Sequence, residues 1–144
     1  MVYYAVIDTN VLLSALLSKN ENSATVRVLN AVFDGKIIPL YHRDILAEYD
    51  EVLHREKFHL QEEVVRTVLD AVRQYGIFVV PQPTGKILID MDDLIFYEVA
   101  MEKRGDAAYL VTGNQKHYPV RDFIVTPSEM MKIIETAIEN EDKN

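Results

Sequence analysis

Three carboxylates in this chain stand where a fold could gather them. Asp8 follows directly on the apolar run Tyr3-Tyr4-Ala5-Val6-Ile7, Glu48 lies inside the amphipathic stretch Asp44 to His54, and Asp93 closes a pair with Asp92 just ahead of an apolar stretch from Leu94. A further polar segment, Thr112-Gly113-Asn114, follows the run Ala108-Tyr109-Leu110-Val111. Carboxylates that share a small volume raise one another's pKa values and destabilise the fold unless something compensates them. A hard divalent cation does so, and Mg²⁺ or Mn²⁺ prefers oxygen ligands. Such a centre activates water and stabilises charge developing on a phosphodiester, so metal-assisted phosphodiester hydrolysis is the chemistry these residue types point to.

Each residue also has a plainer reading. An Asp after a strand commonly closes a turn or caps a helix. Asn10, Asp90 and Asp92 are read that way, Asn114 alone is a turn asparagine, and Glu48 alone is a solvated helix residue. The case for a site rests on joint placement. His54 and His59 are five residues apart and share no helical face, so no histidine metal site is read there. Lys116, His117 and Arg121 form a small basic cluster after the last polar segment. It could hold a substrate phosphate or simply sit on an exposed turn. No glycine-rich phosphate loop, Ser/His/Asp pattern or dinucleotide fingerprint is present. The absence of cysteine excludes disulfides and thiolate metal sites.

The elements that must position these residues alternate along the chain. Strands are expected at Tyr3 to Ile7, Ile37 to Tyr41, Ile77 to Val80, Ala108 to Val111 and Phe123 to Val125, with Pro39 marking an edge or a strand end. Helices are expected from about Asn10 to Leu17, after a Ser23 cap with Val26, Leu29 and Phe33 on one face, from Asp44 to His54, from Glu62 to Tyr75, from Leu94 to Lys103, and after Thr126 or Ser128. Short apolar strands without alternation, separated by helices, indicate a parallel sheet covered on both faces. The expected fold is a three-layer α/β/α domain with a central, mainly parallel sheet of about five strands. Ligands in such folds bind beyond the carboxyl ends of the strands, where Asp8 and Thr112 fall. Projected at about 100° per residue, Glu48 and Asp50 each lie about 40° outside the apolar stripe of their helix, on opposite borders. Either could lean inward.

A length of 144 residues fits one domain, read as residues 1–140, with 141–144 a frayed tail. The net charge of −8 argues against broad nucleic-acid binding through basic surface, and fits either plain solubility or acids converging on a cation. No secretory signal pattern and no apolar run near the ~20 residues that cross a bilayer is seen, so a cytoplasmic location without membrane contact is expected.

At this point the residues resemble the PIN-domain family. Val6-Ile7-Asp8-Thr9-Asn10-Val11-Leu12 matches its opening motif, Glu48 in Leu46-Ala47-Glu48-Tyr49 its internal acid, Asp90-Met91-Asp92-Asp93-Leu94-Ile95-Phe96 its third motif and Asp106 through Gly113 its late strand motif. The resemblance runs from about Val2 to Glu129. It implies a parallel α/β sheet and a Mg²⁺- or Mn²⁺-dependent nuclease, usually acting on RNA. Small members are often homodimeric toxins silenced by a cognate antitoxin, and Thr-Gly-Asn-x-Lys-His-x-Pro resembles a branch labelled as toxin components. By resemblance Asp8, Glu48 and Asp93 bind metal, while Thr112 supports Asp8 or a metal water. One departure stands out: the fourth acid of many members falls at Asn114, which offers a carbonyl but no charge. That leaves a three-acid site, and a domain that mainly binds stays open as the alternative. A metal-dependent phosphomonoesterase fits less well, because Asn10 occupies the place of its second Asp and Asp92-Asp93 precedes Thr112.

Overall fold

The structure, a computed structural model, describes residues 1–142. Five strands, β1 (Tyr3–Ile7), β2 (Ile37–Tyr41), β3 (Ile77–Phe78), β4 (Tyr109–Val111) and β5 (Ile124–Val125), form one sheet in the order β3-β2-β1-β4-β5, and every pairing is parallel. Among the described residues six α-helices flank it: α1 (Thr9–Leu17), α2 (Ala24–Phe33), α3 (Arg43–Leu53), α4 (Glu62–Tyr75), α5 (Leu94–Glu102) and α6 (Pro127–Asp142). The fold is the expected α/β/α arrangement. Its central strands are apolar on both faces because helices cover both, so Ala5, Val6, Ile7, Leu110 and Val111 are all buried. Among the described residues no helix is long and apolar enough to cross a membrane.

Local chemistry accounts for the helix boundaries. Asp8 caps α1, its side chain accepting from the backbone N–H of Asn10, so the cap is Asp8 itself and Asn10 is its donor. Ser23 caps α2, accepting from Val26 N–H at 3.4 Å. The last helix starts with a reciprocal pair: Thr126 Oγ1 accepts from Glu129 N–H at 3.1 Å, and Glu129 Oε1 accepts from Thr126 N–H at 2.9 Å. That resolves the cap to Thr126 rather than Ser128. Gly76 ends α4 where no side chain fits, since a Cβ there would sit 2.3 Å from Val72 O and 2.5 Å from Pro39 O.

Four local expectations differ from the structure. The buried face of α2 is Val28, Ala31 and Val32, while Phe33 is exposed. Apolar residues cover more than half of that helix, and small Ala31 turns inward where α2 meets β2 and α6. Pro39 sits in an internal strand; β3 pairs only with Leu40 and Tyr41, beyond the proline, so no ladder N–H is missed. The third strand has two paired residues rather than four, although Val79 N–H still reaches Tyr41 O at 2.7 Å. Asn140 through Asp142, placed in the frayed tail or at its border, continue α6, and residues 143–144 lie outside the described residues.

Candidate active site

The sheet reverses its direction of growth between β1 and β4, and this is where an open parallel sheet leaves a crevice at its carboxyl edge. Register fixes what lies there. Ile7 pairs with Val111, and Asp8 N–H donates to Val111 O at 2.9 Å, so the next residues out, Asp8 and Thr112, stand side by side. Both are buried. Asp8 Oδ2 accepts from Thr112 Oγ1 at 2.7 Å and from the Tyr118 hydroxyl at 3.2 Å, while Oδ1 accepts only from Asn10 N–H at 3.4 Å. All of these donors are neutral. Among the described residues Asp8 forms no ion pair, so its charge is left to the surrounding field and to whatever binds.

Glu48 reaches the same edge from α3. The ambiguity on that helix is resolved by tertiary contacts: Asp50 is exposed and bonds His54, whereas Glu48 is half-buried and accepts a hydrogen bond from the Thr9 hydroxyl. One residue on, buried Tyr49 donates to the carbonyl of Ile7, pinning α3 to the end of β1 immediately before Asp8. Asp93 arrives from the third side. Asp90 accepts from Asp92 N–H at 3.0 Å and closes a short 3₁₀ turn, Met91–Asp93, that leads into α5. His117 Nδ1 lies 3.4 Å from Asp93 Oδ2.

The electrostatics register the convergence. Burial, opposed by the Thr9 hydrogen bond and reinforced by the charges of Asp8, Asp93 and Asp92, raises the Glu48 carboxyl above the usual range. Burial, then the charges of Asp8 and Asp90, push Asp93 up to about 6, although His117 pulls the other way. Burial and the Asp8 charge hold the Tyr118 phenol far above its ordinary range, so it remains a donor. The Asp8 charge thus acts on both Glu48 and Asp93, and the Asp93 charge on Glu48.

Asn114 contributes mainly backbone. Its N–H donates to Thr112 Oγ1 at 3.0 Å and its carbonyl accepts from His117 N–H at 2.9 Å, which turns the chain so that His117 and Tyr118 face the acids. With Asn10 and Ser14 it also lines a separate cavity of about 310 Å³. Thr9, Tyr49 and Tyr118 were not singled out from sequence as site residues. Thr9 stood inside the opening motif, and Tyr118 next to the basic cluster, but a hydroxyl's partner is fixed by topology.

The donor set suits a hard dication: three carboxylates, none in an ion pair with Lys or Arg among the described residues, around a nearly buried aspartate held by neutral hydroxyls. Among the described residues no three His, Asp or Glu side chains already converge to ligating distance, so the acids share an edge without forming a finished ligand cage.

The comparisons agree with this architecture. A family model described as PIN domain matches residues 4–116. The uncharacterized protein MJ1680 of Methanocaldococcus jannaschii is 29% identical over 120 residues, covering 81% of this chain and 74% of that protein. No solved structure gives a significant match.

Proposed function

The chain belongs to the PIN-domain family, whose members are generally nucleases, and from that premise we propose that it is a Mg²⁺- or Mn²⁺-dependent endoribonuclease. The observation that carries this reading is Asp8: a carboxylate 4% exposed, held by neutral donors only, whose charge reaches Glu48 and Asp93. Asp8, Glu48 and Asp93 would hold the cation. When bound, the ion supplies Lewis-acid activation of water and of the phosphodiester. The chain's own residues do the positioning. Thr112 and Tyr118 fix Asp8 Oδ2 and leave Oδ1 with the long Asn10 N–H contact, Thr9 steadies Glu48, and His117 steadies Asp93. Asn114 shapes the turn behind them and offers a carbonyl in place of a fourth charge. We place the protein in the cytoplasm as the toxin of a toxin–antitoxin pair, acting as a homodimer and silenced by a cognate antitoxin, and read residues 1–140 as one domain.

The test is hydrolysis of single-stranded RNA, with Mg²⁺ and with Mn²⁺, by wild type and Asp8→Asn, each checked for folding. Cleavage by the wild type that the variant loses supports the reading; a folded wild type that leaves RNA intact with either ion defeats it. The amide at Asn114 favours one second reading, a PIN domain that binds partners without chemistry, and that outcome would leave it standing.

A further inference from the structure

We infer that the pocket beside the acids, bounded by Lys116, Tyr118, Pro119, Val120, Arg121 and Ile124, is a docking subsite for one nucleotide of single-stranded RNA, its phosphate on the two cations and its base on the aliphatic wall. The choice of RNA rests on the ribonuclease reading; the existence of an anion-binding subsite does not.

Location comes first. Tyr118 belongs to both places: it lines the pocket and donates to Asp8 Oδ2, so one side chain separates pocket from acid. His117, between Lys116 and Tyr118 in sequence, is the residue beside Asp93. A strand held in the pocket therefore runs past the carboxylates.

Charge is the second argument. In a chain of net charge −8, the arginines are mostly spoken for, although no lysine forms an ion pair among the described residues. Arg27, Arg43, Arg55, Arg66 and Arg73 each pair with a carboxylate. Arg104 donates to Ala108 O and lies over the Phe123 ring. Arg121 differs, since its hydrogen bond goes to the carbonyl of its own neighbour, Val120, and among the described residues neither it nor Lys116 has an ion-pair partner. Two unengaged cations thus line one concavity next to an acidic centre that would otherwise repel a polyanion.

Shape is the third. The concavity, open to solvent on one side, has a volume of about 460 Å³, inside the ~300–1,000 Å³ range of small-ligand sites. Val120 is 95% exposed, beside Pro119. An aliphatic surface next to a guanidinium plane suits an unstacked base, which single-stranded RNA presents and a duplex hides.

The experiment is anisotropy of a labelled single-stranded 12-nucleotide RNA in EDTA, where no cleavage competes. It compares wild type, the double variant Lys116→Ala/Arg121→Ala, and a control, Lys36→Ala/Lys132→Ala, that removes equal charge near the amino ends of the strands. All four positions are exposed, so folding is not at stake. Expected is a loss of about tenfold or more in the pocket variant, a salt dependence shallower by about 1.4 in log–log slope, and a control within about twofold of wild type. Equal binding by pocket variant and control, or a wild type that does not hold RNA, overturns the subsite. Cleavage of the same RNA with Mn²⁺ separates the two readings. Wild-type cleavage with an unchanged KM in the pocket variant removes the subsite and leaves the ribonuclease. Pocket-dependent binding without cleavage leaves the subsite and removes the ribonuclease.

Discussion

Thr112 and Asp8 are 104 positions apart, yet the Thr112 hydroxyl donates to Asp8 Oδ2 at 2.7 Å in a place both residues keep from water. The same hydroxyl oxygen accepts from Asn114 N–H, so one atom ties the end of β1 to the turn after β4. Thr112→Val keeps the shape and removes the bond. A hydrogen bond to a charged group contributes roughly 1.5–3 kcal/mol, and the stranded Asn114 N–H adds to its loss. The variant should lose about 2 kcal/mol in urea unfolding and bind Mn²⁺ more weakly, whereas Thr112→Ser should restore most of both. Equal stability of the valine variant would mean the bond does not matter in solution.

Asp93 gives a pH test with a definite sign. Its carboxyl holds a proton up to about pH 6 in the folded chain, while an unfolded aspartate releases it near 3.9. Between those values the folded state binds more protons than the unfolded one, so native stability falls as pH rises through that window. Asp93→Asn should therefore stabilise the metal-free protein at pH 7.5, by roughly 1–2 kcal/mol after allowing for the water that screens a partly open carboxyl. At pH 4.5 the gain should have largely gone. Urea unfolding in EDTA at both values measures it, and a variant less stable at pH 7.5 would show that Asp93 is not under electrostatic strain.

Gly76 tests how tightly α4 meets the sheet. Its φ of −92° is open to any residue, so backbone strain plays no part. The obstacle is space, since an added Cβ would approach the carbonyl oxygens of Val72 and Pro39 well inside van der Waals contact, and both belong to backbone that cannot rotate away. Gly76→Ala should cost about 1–3 kcal/mol, the range for overpacking, by thermal or urea unfolding. A loss below about 1 kcal/mol would show that the α4 terminus moves freely.

These sites also show what the sequence could and could not reveal. Asp8 was legible because an acid directly after an apolar run must fall at a strand end, and Asp93 because it precedes a helix apolar nearly all round. Glu48 was ambiguous with Asp50, since a helical projection knows the stripe but not the neighbour. The Thr9 hydroxyl 39 positions away and the Ile7 carbonyl that receives Tyr49 decide it. Tyr118 was out of reach for the same reason: its partner lies 110 residues earlier and meets it only once β4 is laid beside β1. The face of α2 was misread because its apolar side chains spread over more than half of the circumference, leaving Arg27 and Asn30 to mark a polar side, so the centre of the stripe is not fixed by periodicity.

The contact between Thr9 and Glu48 joins α1 to α3 across the mouth of the site, and it can be tested by titration. Burial and the charges of Asp8, Asp93 and Asp92 drive the Glu48 carboxyl up, and the Thr9 hydroxyl is the group that opposes them. Thr9→Val removes the opposition while nearly preserving volume, so the Glu48 midpoint should rise further above its usual value, read by carboxyl NMR in the metal-free protein. A proton held to higher pH competes with any cation for the same oxygens. Mn²⁺ affinity of the variant should therefore fall more at the acidic end of a pH series than at its alkaline end, where the proton no longer competes. Tyr49→Phe provides the contrast. It leaves the Ile7 carbonyl without its side-chain donor and should cost about 1–2 kcal/mol of stability while leaving the Glu48 midpoint nearly unchanged. If both variants shift the midpoint equally, Thr9 acts by holding α3 in place and not through its bond to the carboxylate.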